Sequence, residues 1–97
     1  MRRPCPAREG HATTTSYLIE AYLPGGDAVA LEEVVVRARR AARTASEAGI
    51  AIRHVRSFLA PEDELCFHVF EAASVADVTR AAHLGALDHD RITEVIE

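Results

Sequence analysis

Only four residues, Pro61-Glu62-Asp63-Glu64, separate two apolar runs of the chain, IAIRHVRSFLA from Ile50 and LCFHVFEA ending at Ala72. A connection this short cannot cross over a sheet, so the two runs must be antiparallel hairpin partners. The remaining elements are arranged around that hairpin. Upstream, SYLIEAYL alternates Tyr17, Ile19, Ala21 and Leu23 against Leu18, Glu20 and Tyr22, and it stops at Pro24-Gly25-Gly26. That pattern predicts a strand closed by a turn. Asp27 is placed to cap a helix, behind which Leu31, Val34, Val35, Ala38, Ala41, Ala42 and Ala45 recur at helical spacing. Gly49 is its expected stop. Its second half meets the core through alanines, which allows close approach to a sheet.

Beyond the hairpin, Ser74 and Asp77 form a capping-box-like pair before a short helix with Val75, Val78, Ala81 and Ala82 on one face and Gly85 near its end. RITEVIE, from Arg91, predicts a last strand. The order is therefore β-α-β-β-α-β. With right-handed crossovers it has one dominant solution, an α+β ferredoxin-like split βαβ: a four-stranded antiparallel sheet with both helices on one face. The first and third strands are then central, the second and fourth are edges, and one sheet face has no helix over it.

Ninety-seven residues suit one domain, expected over 16–97. The segment 1–15, MRRPCPAREGHATTT, has no apolar periodicity and is expected to be a flexible tail, with no role for His11. Cys5 and Cys66 make no disulfide framework. No apolar core follows the basic N-terminus, and no run approaches the ~18 apolar residues of a membrane span, so a cytoplasmic location is the default expectation. A net charge of -4 argues against a nucleic-acid partner, whose affinity comes from neutralising phosphates. Arg37, Arg39, Arg40 and Arg43 are more simply a solvated helix face.

By alternation, Tyr17, Ile19, Ala21 and Leu23 with Leu65, Phe67 and Val69 form the more apolar set and are expected to face the helices. Leu18, Glu20 and Tyr22 with Cys66, His68 and Phe70 would then occupy the open face. Left bare, that face would be a large apolar patch, so a homodimer covering it is expected. Glu20, Cys66 and His68 combine a carboxylate, a thiol and an imidazole, the common donors for borderline divalent metals. Each also has a plainer explanation: a free cysteine is often core filler, and a structural histidine bonded to Glu20 or Tyr22 accounts for His68 equally well. His54 joins His68's face if the hairpin register slips one residue from pairs summing to 125. The slip is favoured by turning Val55 and Leu59 towards the helices. His83 suits a helix C-terminus, and Asp88-His89-Asp90 suits a turn. The chain has no Gly-rich phosphate loop, HExxH, CxxC or nucleophile elbow.

Glu20-Ala-Tyr-Leu-Pro-Gly25, Arg56-Ser-Phe, Pro61-Glu-Asp63, Cys66-Phe-His-Val-Phe-Glu-Ala72 and Asp90-Arg-Ile92 occur in an order that resembles a family of small bacterial ferredoxin-like domains of unknown function, which includes actinobacterial nickel-binding proteins. The resemblance runs from Tyr17 to the end. It implies a ferredoxin-like fold, frequent dimerisation and nickel binding, and it carries the family pattern onto Glu20, Cys66, Phe70, Glu71 and Ala72. Ala73 and Asp88 depart from it where proline is usual, and His54 and His68 are not family histidines. The leading expectation is thus a homodimeric metal-binding protein, with nickel held by Glu20, Cys66, His68 and His54 or a partner residue. An alternative is a cofactor-free dimeric enzyme resembling the antibiotic-biosynthesis monooxygenases, with His68 and Glu20 as an acid/base pair over an apolar pocket. A ligand-free interaction domain is the third.

Overall fold

The computed structural model describes residues 14–97. The expected tail, with Cys5 and His11, lies outside the described residues except at its end, where Thr15 already opens the first strand. The elements are β1 (Thr15–Tyr22), α1 (Ala28–Glu47), β2 (Ile52–Ala60), β3 (Leu65–Ala72), α2 (Val75–Leu84) and β4 (Arg91–Val95). The sheet order is β2-β3-β1-β4 and every pairing is antiparallel, the ferredoxin-like arrangement that the element order requires.

Local chemistry explains the element ends. Asp27 Oδ1 accepts the Ala30 N–H at 2.9 Å to start α1, and Ser74 Oγ accepts the Asp77 N–H at 3.2 Å to start α2. Helix α1 ends in a Schellman turn, in which Gly49 N–H donates to Ser46 O and Ile50 N–H to Ala45 O. Gly49, at φ 92, supplies the left-handed residue. Helix α2 ends in the same way, Ala86 N–H donating to His83 O and Leu87 N–H to Ala82 O, but its left-handed residue is Ala86, at φ 52. The glycine stands one position earlier for a different reason. A Cβ on Gly85 would come within 2.3 Å of Ala41 Cβ and 2.5 Å of Ala41 Cα, so α2 can touch α1 there only without a side chain.

The core lies between the sheet and the helices. Tyr17, Ile19, Phe70 and Ala72 from the central strands meet Ala38, Ala41 and Ala42 of α1, Val78 and Ala82 of α2, and Leu87. The alanine seam of α1 thus acts as the sequence pattern predicts, bringing the helix backbone close to its neighbours.

The faces of β3 are the reverse of the expectation. β1 and β3 pair with Ile19 opposite His68 and Ala21 opposite Cys66. Directly opposed residues share a face, so Cys66, His68 and Phe70 lie under the helices, and Leu65, Phe67 and Val69 face the open side with Leu18, Glu20 and Tyr22. Glu71 supplies the reason. It alternates with Val69 and Phe67, so turning those residues inward would bury a carboxylate, whereas the chosen face buries an imidazole and a thiol that can hydrogen-bond each other.

The two ends of α2 make a paired prediction. Gly85→Ala should destabilise the protein by about 1–3 kcal/mol through overpacking against Ala41. Ala86→Gly should stabilise it by about 0.5–1 kcal/mol, the relieved left-handed strain exceeding the added chain entropy. Urea denaturation of the two variants beside the parent measures both signs.

Candidate functional site

Cys66 and His68 are each 1% exposed, the most reactive side chains in a largely apolar interior. Their side chains converge, with Cys66 Sγ 3.7 Å from His68 Nε2. Both line a small cavity of about 30 Å³ between the sheet and the first half of α1, bounded also by Ala21, Leu23, Val34 and Leu87 and reaching exposed Tyr22, Arg37 and Asp88 at its mouth. That volume accommodates one water-sized species.

The other imidazole nitrogen is also engaged. Ser57 Oγ lies 2.5 Å from His68 Nδ1, and His54 Nε2 lies 2.9 Å from the same Oγ. The four side chains form one continuous line: His54, Ser57, His68, Cys66. A break in the hairpin register makes this possible. Ile52, Arg53 and His54 pair with Ala72, Glu71 and Phe70, whereas Arg56 and Ser57 pair with Val69 and His68, leaving Val55 as a bulge. In a regular strand, residues three apart point to opposite faces. Here the extra residue brings His54 and Ser57 to the same one. The ring centroid of His54 sits 5.3 Å from that of Phe70 and 6.2 Å from that of His68, both edge-on.

Burial, reinforced by neighbouring His54, pushes the His68 imidazole down from its ordinary 6.5 to about 4. Burial pushes the Cys66 thiol up. The pair is therefore a neutral thiol beside a neutral imidazole at physiological pH, not a thiolate–imidazolium ion pair. His54 is lowered first by burial and then by the Arg39 guanidinium, against an opposing hydrogen bond to the Arg56 main chain.

Of the four candidate ligands, the structure brings Cys66 and His68 together and separates the other two. Glu20 stands opposite Phe67 on the open face, with the sheet between it and His68. It is neither a fellow ligand nor an acid/base partner of that histidine, and the structural contacts expected from Glu20 or Tyr22 are made instead by Ser57 and Cys66. His54 does share the face of His68, because the register is slipped over residues 52–54 while 56–60 keep the pairs summing to 125, but that face is the covered one, and His54 reaches Ser57 rather than Cys66. Val55 does not turn inward as a regular strand residue. No group of three or more His, Cys, Asp or Glu side chains close enough to hold a metal ion occurs among the described residues. Ser57 went unrecognised in the sequence because only the bulge aligns it with His54.

Two further features complete the surroundings. Asp90 closes the end of β1, its Oδ2 accepting the Tyr22 N–H at 2.7 Å while its own N–H donates to Glu20 O. Asp88-His89-Asp90, expected as a turn, instead lies in the irregular segment leading into β4, the turn being at Gly85-Ala86, and the His89 and His83 rings stand 5.7 Å apart. A broader, shallow groove of about 420 Å³ runs along α1, lined by Leu31, Glu32, Val35, Val36 and Arg39, and has neither a thiol nor an imidazole.

No family model and no curated protein matches the sequence. Among solved structures, SCO4226 from Streptomyces coelicolor A3(2) has a similar fold, with a TM-score of 0.67 at 13% identity over 84% of this chain and 96% of that one. The likeness supports the ferredoxin-like fold. No helix among the described residues is long and apolar enough to cross a membrane.

His68 should shape the acid limb of stability. Its folded pKa of about 4 lies below the ordinary 6.5, so between those values the unfolded chain binds the extra proton. Stability should fall as pH drops through that window, by up to about 1.4 kcal/mol per pH unit. His54, also lowered, adds in the same direction. Urea midpoints measured from pH 7 to pH 4 should show this slope, and His68→Gln should flatten it; an unchanged slope in the variant would contradict a neutral, buried His68.

Proposed function

We propose that the protein binds a borderline divalent transition metal, nickel being the ion suggested by the family resemblance, with Cys66 and His68 as the ligands this chain supplies. The separation of 3.7 Å between Cys66 Sγ and His68 Nε2 carries the reading. Two donors at ~2.3 Å and ~2.0–2.1 Å from one tetrahedral ion stand about 3.5 Å apart, so the pair needs little movement to share a metal. Thiolate and imidazole suit nickel, copper and zinc alike. Asp88 is the carboxylate that lines the same cavity, though the three groups are not close enough together to form a ready-made site. With two committed side chains, the remaining positions fall to water or an exogenous ligand. Binding must also displace the thiol proton, so affinity should rise with pH.

The cavity size favours this over a cofactor-free enzyme. Pockets for organic substrates run to ~300 Å³ or more, against about 30 Å³ beside His68.

The open face supports assembly as a homodimer. Phe58 is 44% and Tyr22 58% exposed, and Phe58 stacks on Phe67 with centroids 5.2 Å apart. Leu18 and Leu65 extend the patch on the same face. A second copy would bury these rings against their equivalents, leaving the Cys66–His68 pair on the far side of each sheet.

Calorimetric titration with nickel should show binding by the wild type and at least ten-fold weaker binding by Cys66→Ser and His68→Gln. Glu20→Gln should bind as the wild type does. A thiolate-to-nickel charge-transfer band, present in the wild type and absent from Cys66→Ser, checks the ligand directly; equal binding by all four proteins would remove the site. Separately, sedimentation equilibrium should give a dimer for the wild type and a monomer for Phe58→Asp. A monomeric wild type at tens of micromolar would refute the face-to-face assembly.

A further inference from the structure

The line His54–Ser57–His68–Cys66 has a direction, and that direction fixes which nitrogen of His68 carries its proton. Ser57 has one hydroxyl hydrogen and two imidazole neighbours, at 2.9 Å and 2.5 Å. It donates to one and accepts from the other. If it donated to His68 Nδ1, His68 would carry its proton on Nε2; if it accepted from His68 Nδ1–H, it would donate to His54 Nε2, and a neutral His54 would then carry its own proton on Nδ1. The buried thiol at the far end of the line decides between the two.

We propose that Ser57 and His54 are positioning residues that hold His68 in its Nδ1–H tautomer and so aim the unshared pair of Nε2 at Cys66 and the adjacent cavity. The far end of the line fixes this direction. A buried thiol is a donor in need of an acceptor, and Nε2 of His68, 3.7 Å away, is the acceptor this tautomer provides. Each side chain then donates to the next, from Cys66 to His54. The opposite direction would point an N–H at a sulfur that already carries a hydrogen. The Val55 bulge builds the support, because without it Ser57 and His54 would lie on opposite faces of β2.

The tautomer deepens the metal-binding reading without depending on it, since the outer partner of a ligating histidine fixes its ring and its donor nitrogen. The pair can be tested separately. Long-range 1H–15N correlation spectra of the metal-free protein report which ring nitrogen of each histidine is protonated. The expected wild-type result is Nδ1–H for both His68 and His54; Nε2–H at His68 overturns the proposal whatever the protein binds. Ser57→Ala should release His68 into a mixture of tautomers, while Ser57→Thr, which keeps the hydroxyl, should preserve the wild-type pattern. A His68 that stays fully Nδ1–H in Ser57→Ala also overturns it. With nickel as the probe, Ser57→Ala should lose about 10–100-fold in affinity and Ser57→Thr little. If the wild type binds no nickel, the metal reading fails while the spectra still decide the tautomer.

Discussion

The pairing of Ile19 with His68 across β1 and β3 is the constraint from which the rest of the molecule follows. Side chains alternate along a strand, so this one pair assigns every residue of both central strands to a face. It sends Phe70, the largest side chain buried to this degree, into the core with Ile19 and Tyr17. It also takes His68 and Cys66 out of water and leaves Glu20 and Glu71 on the side that no helix covers. A shift of one residue would exchange the two sets, burying Glu71 and exposing Phe70.

Burying an imidazole creates a requirement that the hairpin then meets. Each ring nitrogen of His68 needs a partner, since an unsatisfied buried polar group costs about 1–3 kcal/mol. Cys66, two residues away on the same strand, faces one nitrogen, and Ser57, directly across on β2, faces the other. Ser57 is in turn satisfied by His54 only because the strand bulges at Val55. The bulge, which weakens the ladder locally, thereby completes a polar line that runs from the small cavity beside Cys66 to the edge strand β2. The same low-dielectric setting that makes the line necessary keeps both the thiol and the imidazole neutral.

Close packing on the helix side depends on small residues. Ala38, Ala41, Ala42 and Ala45 let α1 sit against the sheet and α2, and Gly85 allows the contact with Ala41. Using glycine for that contact displaces it from the left-handed position of the helix stop, which Ala86 must adopt instead. Contact and cap compete for one residue, and the contact wins because a Cβ at Gly85 would overlap backbone atoms, whereas a left-handed alanine costs only about 1–2 kcal/mol.

The sequence by itself determined the element order, the hairpin, both N-caps, the alanine face of α1 and the antiparallel four-stranded topology, because each rests on local chemistry or on a connection too short to allow another path. It also marked Cys66, His68 and His54 as the residues with chemistry to offer. Their grouping was decided only in the tertiary structure. Both faces of LCFHVFEA are apolar enough to be buried, so alternation left the side of β3 ambiguous and placed Glu20 with Cys66 and His68 when the sheet in fact separates them. The one local sign was Glu71, whose charge could not share the core with Phe67 and Val69. Ser57 carried no sign at all. Its place between two imidazoles comes from a one-residue bulge, set by how β2 meets β3 across space, and strand periodicity along the chain cannot express it.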